Sequence, residues 1–110
     1  MIATTKLGPG VVCVEIDGEF DFSRAYDFDR AVRAIEEASP ETVVIDLRRV
    51  TFIDSAGMAR IIAARRRAVK CGRRLAVVRG SKAVARMFAL TALDHELDLV
   101  NDPRAVLPEA

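Results

Sequence analysis

The sequence has no tryptophan, only two cysteines, and no apolar run approaching the ~20 residues that a membrane-spanning helix needs. Residues 1–6 also lack the apolar stretch and the small-residue cleavage site of a signal peptide. These absences predict a protein that has no contact with a membrane and stays in the cytoplasm.

The two cysteines, Cys13 and Cys71, are far apart in the chain and form no CxxC pair. A metal or redox site needs ligands that cluster more closely. We therefore expect no metal site, and we interpret both thiols as buried or incidental.

Composition is ordinary for a globular protein, with 51% hydrophobic and 30% charged residues. A chain of 110 residues without repeats or linkers is expected to form one domain over residues 1–110. Arginine outnumbers lysine fourteen to three and alanine is abundant, a bias that hints at a GC-rich bacterial genome.

The charges are segregated along the chain although the net charge is only +1. Residues 15–46 contain ten of the sixteen acids, whereas residues 60–86 contain ten of the seventeen bases and no acid. Such asymmetry can steer a partner of complementary charge, or it can simply keep the outer faces solvated. The sequence leaves both interpretations open.

The first half of the chain alternates between strand and helix patterns. Residues 2–7 and 11–18 are predicted to pair as a hairpin across the Gly8–Pro9–Gly10 turn. A helix follows, capped by Ser23 and ending near Ala38, whose buried stripe is predicted from the spacing of Phe28, Val32 and Ile35. Residues 43–47 form a short apolar run that is rich in β-branched side chains, which predicts a central strand.

The second half continues the alternation. A helix begins after Gly57 and ends at Gly72; Met58, Ile61, Ile62 and Val69 are predicted to face the core. Residues 75–78 predict a buried strand, Ser81 caps a further helix, and residues 97–100 predict a last strand. Strands joined through helices are usually parallel neighbours. The predicted fold class is therefore α/β, with a mixed sheet made of an opening hairpin and parallel strands connected by helical crossovers.

The segment Asp54–Ser55–Ala56–Gly57 lies where a central strand meets a helix, the usual place for a site in α/β proteins. Ser55 could simply be the helix N-cap. Alternatively, Gly57 leaves the backbone open and Ser55 approachable. A phosphate on Ser55 would add about −1.5 to −2 charges at a helix N-terminus, which tolerates anions, while Asp54 would repel it. Modification could then disrupt binding and leave the fold intact.

Residues 52–58, Phe-Ile-Asp-Ser-Ala-Gly-Met, resemble the signature of STAS domains, the anti-sigma factor antagonists. Three further segments resemble the family in order and spacing. They are residues 18–21, residues 43–47 and residues 84–94, so that the resemblance covers about residues 2–102. It implies a STAS-like fold.

The resemblance also implies a function. The unmodified antagonist would bind an anti-sigma factor that is also a serine kinase and so release a sigma factor. Phosphorylation of Ser55 would end that binding, and a serine phosphatase would reverse it. The kinase supplies ATP, so no cofactor and no catalytic residue are expected in this chain, which would be a monomer or a weak dimer. The implied partner-binding residues are Asp21, Asp54, Ser55, Ala56, Gly57 and Met58, with Asp54 positioning the hydroxyl for the kinase.

Two positions depart from the family pattern. Ala56 stands where many members have a second Ser or Thr, which removes a rival phosphorylation site. Ala92 stands where a Gly is common. If the backbone at Ala92 is left-handed, the alanine costs about 1 kcal/mol in local strain.

Three other functions are compatible with parts of the sequence. A hydrolase would pair Ser55 with His95, although Ile53 occupies the first Gly position of the Gly-x-Ser-x-Gly motif. A nucleic-acid binder would use Arg65–Arg67, Lys70, Arg73 and Arg74, but adjacent arginines on a helix point in different directions and no direct nucleic-acid binding is expected. A STAS subunit of a lipid-transport or stress-sensing complex would use the same surface as a constitutive binding module.

Overall fold

A computed structural model describes residues 1–108, in which strands and helices alternate after an opening strand pair. No helix in this range is both long enough and apolar enough to cross a membrane. The elements are β1 (Ile2–Gly8), β2 (Val11–Phe20), α1 (Phe22–Glu37), β3 (Thr42–Ile53), α2 (Ser55–Cys71), β4 (Arg74–Val78), α3 (Lys82–Leu90), a 3-10 helix (Leu93–Glu96), β5 (Asp98–Val100) and a second 3-10 helix (Pro103–Val106).

The strands form one mixed sheet in the order β1-β2-β3-β4-β5. β1 pairs antiparallel with β2, and every later pair is parallel. Each pair of neighbouring parallel strands is connected through a helix, because the chain must return to the starting end of the sheet before the next strand can run in the same direction. The predicted α/β fold with an opening hairpin and helical crossovers is confirmed.

The three helices bury their apolar stripes against one face of the sheet. Phe28 of α1, Ile61 of α2 and Phe88 of α3 belong to one core cluster with Val14 and Ile45 of the central strands. Side chains alternate across a strand, so every second residue of β3 from Val43 to Leu47 faces this core; beyond Leu47 the register with β2 shifts, and the next core residues are Val50 and Ile53. The predicted stripe of α1 is confirmed, since its three predicted residues are all buried.

The opposite face of the sheet packs against the segment that follows β5. Val44 and Cys13 form a second buried cluster, against which Val106 and Leu107 pack. Burial raises the pKa of the Cys13 thiol to about 11, and the negative charge of Asp46 makes a smaller contribution to the same shift. This thiol is therefore buried and protonated near neutral pH, as a structural cysteine should be.

A buried carboxylate interrupts the apolar run of β3. Asp46 is 2% exposed and pairs with Arg48 two residues along the same strand, with Oδ2 at 2.9 Å from Nη2 and Oδ1 at 3.1 Å from Nε. The backbone N–H of Arg48 also donates to Oδ1 at 3.0 Å. The side-chain hydrogen bonds to Asp46 raise the pKa of Arg48 above its usual value. The charge of Asp46 is thus neutralised locally, which is what a buried ion requires.

Two sequence predictions about the helices are wrong. The N-cap of α1 is Asp21, which accepts from the Ser23 N–H, so Ser23 lies inside the helix. Val69 is 60% exposed and does not face the core, because Ala68 takes the buried position on that turn. The predicted caps at Gly72, with a left-handed φ of 72°, and at Ser81 are confirmed.

Ala92 has a left-handed backbone, with φ 58° and ψ 15°, between α3 and the 3-10 helix that follows it. A Cβ is disfavoured in this conformation, so we expect Ala92→Gly to raise the free energy of unfolding by about 0.5–1 kcal/mol. Urea denaturation of the two proteins measures this difference. Ala89→Gly, one turn earlier within α3, is the matched control and should lower stability by a similar amount. A loss of stability in both variants would contradict a strained Ala92.

Candidate functional site

Ser55 is the first residue of α2 and lies exposed at the edge of the sheet where β2 and β3 end. The N-cap of α2 is Asp54, whose Oδ1 accepts from the Gly57 N–H at 2.9 Å. The interpretation of Ser55 as the N-cap is therefore wrong. Because the helix does not need its hydroxyl, Ser55 presents an accessible nucleophile beside a helix N-terminus.

Asp54 has a second structural role that the sequence did not indicate. Its Oδ2 accepts from the backbone N–H of Phe22 at 3.0 Å, across 32 residues of sequence. Its own N–H donates to the Phe20 carbonyl at 3.4 Å. One carboxylate thus caps α2 and fixes the first residue of α1. The predicted role of Asp54 in positioning the Ser55 hydroxyl stays a prediction.

Asp21 lies at the same end of the sheet as Ser55, where it caps α1. Its Oδ1 accepts from the Ser23 N–H at 3.0 Å and also from the Ser23 hydroxyl. The hydrogen bond from the Ser23 hydroxyl is the main cause that lowers the pKa of Asp21 below its usual value. Asp21 and Asp54 therefore share the N-terminus of α1, and Asp21 carries its negative charge near neutral pH.

Burial corrects the predicted roles of two signature residues. A Cβ on Gly57 would lie 2.4 Å from the Phe20 carbonyl oxygen and 3.0 Å from Cγ1 of Ile53, so the bare side of Gly57 faces inward. It permits close packing of α2 on β2 and does not open the approach to Ser55. Met58 is 2% exposed and belongs to the core. Neither residue presents a side chain to a partner, whereas Ala56 is half-buried and accessible beside Ser55.

Three exposed aromatic side chains lie on α1 and at the end of β3, the elements that Asp54 joins beside Ser55. Phe22 is 78% exposed, Tyr26 is 69% exposed and Phe52 is 50% exposed, and together they are half of the aromatic residues in the chain. Phe22 and Tyr26 are one turn apart on α1, away from its buried stripe, and Phe52 precedes Ser55 by three residues. Solvent-exposed aromatics clustered in one place typically mark an interaction surface. The signal was present in the sequence as an aromatic pair off the Phe28 stripe.

Phe52 also lines a shallow apolar groove. The groove lies between the end of β3 and helix α3, and two of its lining residues, Phe52 and Ile53, belong to the signature segment 52–58. Its lining residues are Thr51, Phe52, Ile53, Ala83, Val84 and Met87. The accessible surface around Ser55 therefore combines a hydroxyl, acidic groups and apolar side chains.

The comparison with protein families gives a match to the STAS domain over residues 3–105. The chain belongs to the STAS family. An anti-sigma factor antagonist from Mycobacterium paratuberculosis is 31% identical, with a TM-score of 0.82 over 93% of this chain and 87% of that one.

More distant structures share the fold of this STAS domain. The anti-sigma factor antagonist SpoIIAA in its unphosphorylated form is 18% identical, with a TM-score of 0.80 over 96% of this chain and 93% of that one. A sulfate transporter family protein from Wolinella succinogenes is 24% identical, with a TM-score of 0.75 over 88% of this chain and 81% of that one. At these identities the likeness concerns the fold alone.

Most of the basic run of this STAS domain is engaged in contacts within the fold. Six of its ten bases contact carboxylates or backbone carbonyls: Arg60 with Asp29, Arg66 with Glu96, Arg67 with Glu36, Arg74 with Asp98, Arg65 with the Leu75 and Glu96 carbonyls, and Arg73 with the Pro40 carbonyl. Two of these pairs, Arg60 with Asp29 and Arg67 with Glu36, join the basic segment 60–86 to the acidic segment 15–46. This use of the bases argues against a nucleic-acid surface on α2.

His95 is remote from Ser55. Its neighbour Glu96 binds Arg66, eleven residues into α2, which places this turn about 16 Å along the helix from Ser55. The His95 side chain is 85% exposed and lies 4.0 Å from Oδ1 of Asp94. A serine nucleophile and its base must be within hydrogen-bonding distance, so this pair does not form a hydrolase site.

Proposed function

We propose that this STAS domain is an anti-sigma factor antagonist that is controlled by phosphorylation of Ser55. The observation that carries the proposal is the exposed hydroxyl of Ser55 at the N-terminus of α2, bordered by Phe22 and Phe52. The 31% identity to an anti-sigma factor antagonist over nearly the full length of both chains supports the same function. In this proposal the domain binds its partner and has no enzymatic activity of its own.

The unmodified surface supplies the chemistry of a protein interface. Large aromatic side chains contribute most of the energy of such interfaces, and Phe22, Tyr26 and Phe52 provide three of them around Ser55. Asp21 provides a fixed negative charge within the same surface. The partner is therefore an anti-sigma factor whose docking surface has apolar pockets and complementary basic groups.

A phosphate on Ser55 changes this surface without a cost to the fold. The first turn of α2 contains no acidic side chain, and the helix N-terminus favours an anion there. The phosphate would nevertheless place about two negative charges beside Asp54, in the middle of the apolar contacts. Burying that charge against the partner is unfavourable unless it is paired, so the complex dissociates. The anti-sigma factor acts as the serine kinase, and a serine phosphatase restores the unmodified surface.

Mass spectrometry of the protein from its own cells tests the proposal. We expect a fraction heavier by one phosphate, with the modified fragment containing Ser55, and no such fraction in Ser55→Ala. Phosphate on another residue, or none under any growth condition, would overturn the phosphorylation step. The latter result would favour the alternative, a STAS subunit of a lipid-transport or stress-sensing complex that binds constitutively.

Phosphorylated Ser55 should weaken binding to the anti-sigma factor at least about 100-fold, because the phosphate would be buried without a partner in the interface. The melting temperature of the free domain should change by less than about 3 °C, because the helix N-terminus accommodates the anion. Calorimetry of the modified and unmodified proteins measures both quantities. Equal affinity of the two forms would contradict the switch.

Truncation of the exposed aromatics should weaken the same complex. We expect Phe22→Ala and Tyr26→Ala each to lower affinity about tenfold or more, with melting temperatures near that of the unchanged protein, because both side chains are mostly exposed. Leu90→Ala is the matched control, since Leu90 is 74% exposed on α3 outside the aromatic surface. If all three variants bind alike, the partner does not use the aromatic surface.

A further inference from the structure

A cavity of about 190 Å³ lies beneath α3, between that helix and strands β3 to β5. Its walls are formed mainly by the apolar side chains Leu47, Val77, Val84, Phe88 and Leu99. An apolar cavity of about 150 Å³ is large enough to bind benzene. This cavity therefore has room for one six-membered ring with a short substituent.

Two charged residues also line the cavity, and they come from opposite ends of α3. Arg79 precedes the helix and is exposed, whereas Asp94 follows it. The Oδ1 atom of Asp94 is buried, and within residues 1–108 it accepts no hydrogen bond. His95 Nε2 lies 4.0 Å from this oxygen, which is beyond hydrogen-bonding distance.

A buried carboxylate oxygen without a donor is costly, so a ligand that brings a donor to it would be stabilised. The Asp94 side chain as a whole is 35% exposed, so a ligand can approach this oxygen from the open side of the cavity. An organic cation fits this cavity, since its ammonium group can donate to Asp94 while its apolar part fills the space against Phe88. The guanidinium of Arg79 would repel an ammonium group, so the ammonium group must bind at the Asp94 end of the cavity.

We propose that this cavity is a binding site for a small apolar amine, with Asp94 as the acceptor of its ammonium group. The site is distinct from the Ser55 surface, and the proposal does not depend on phosphorylation. The two regions are nevertheless adjacent, because Val84 lines both this cavity and the groove beside Phe52. A ligand in the cavity would therefore contact a residue of α3 that also lines the groove.

Titration of the isotope-labelled protein with benzylamine, followed by amide chemical shifts, tests the site. Benzylamine has eight heavy atoms, for which a dissociation constant of about 1 mM is expected. The shifts should be saturable and centred on Val77, Gly80, Phe88 and Leu99. Benzyl alcohol should bind about tenfold more weakly and benzoate more weakly still. Shifts that fail to saturate below about 20 mM, or that map elsewhere, would overturn the proposal.

Two variants test the charge of Asp94 and the open volume of the cavity separately. Asp94→Asn keeps the shape of the side chain and should weaken benzylamine about tenfold while leaving benzyl alcohol within about twofold. Ala89→Phe, at an exposed lining position of α3, should fill the mouth of the cavity and abolish both. Asp27→Asn, an exposed carboxylate on α1, is the control and should change neither. Unchanged benzylamine affinity in Asp94→Asn would rule out the assigned acceptor even if Ala89→Phe does not fold.

Discussion

Gly57→Ala should lower the free energy of unfolding by about 3 kcal/mol, although it adds a single methyl group. The new Cβ would lie 2.4 Å from the Phe20 carbonyl oxygen, a separation that real Cβ atoms do not show. Neither backbone segment can shift easily to relieve this contact, because the Phe20 carbonyl belongs to the end of β2 and Gly57 to the first turn of α2. The helix must therefore move away from the sheet, and it would carry Ser55 with it.

Thermal unfolding measures this effect, with an expected decrease in melting temperature of about 12 °C or more for a domain of this size. Gly72→Ala is the matched control. Gly72 has a left-handed φ of 72°, but no atom lies within 4 Å of the position that a Cβ would take there, so that the same substitution should cost only about 1 kcal/mol. Similar losses in both variants would show that backbone conformation, and not the contact with Phe20, determines the need for glycine at 57.

The sheet and the place of Ser55 could be predicted because their signals are local. Short β-branched runs such as residues 43–47 alternate with helical stripes, and the segment around Ser55 falls where a strand pattern gives way to a helix. The element order then restricts the topology, because parallel neighbours need crossovers. The signature residues added the expectation of a phosphorylation switch.

The N-caps of α1 and α2 could not be predicted, because two suitable residues compete at each of these two helices. Asp54 and Ser55 are both good N-caps, and so are Asp21 and Ser23. The structure uses the aspartate in each case. The reason is non-local: Asp54 must also reach the Phe22 N–H, which no pattern within one helix reveals.

The inward orientation of Gly57 was missed for a related reason, whereas the helical spacing correctly predicted that Met58 faces the core. Their sequence position beside Ser55 suggested a shared surface, but a helix turns by about 100° per residue, so neighbours in sequence face different directions. Ser55 points to solvent, while Gly57 faces the end of β2 and Met58 faces the core. The exposed aromatics on α1 and β3 supply the surface that these two residues do not.

Asp54→Ala should lower the free energy of unfolding by about 2–3 kcal/mol, because it removes the cap of α2 and the acceptor for the Phe22 N–H together. Asp54→Asn separates the two roles. Its single carbonyl oxygen can accept from Gly57 or from Phe22 but not from both, so we expect an intermediate loss of about 1 kcal/mol. Ser81→Ala removes an ordinary cap at α3 and should also cost about 1 kcal/mol.

Urea denaturation gives the three stabilities, and hydrogen exchange at the Phe22 amide reports the link between the helices. We expect that amide to lose protection in Asp54→Ala and to keep it in Ser81→Ala. The loss should also lower affinity for the proposed anti-sigma factor partner, because Phe22 would no longer be held beside Ser55. Equal stability of Asp54→Ala and Ser81→Ala, with Phe22 still protected, would mean that Asp54 is a cap alone. The signature aspartate would then need another explanation, and the proposed positioning of the Ser55 hydroxyl in a complex with a kinase would become the first to test.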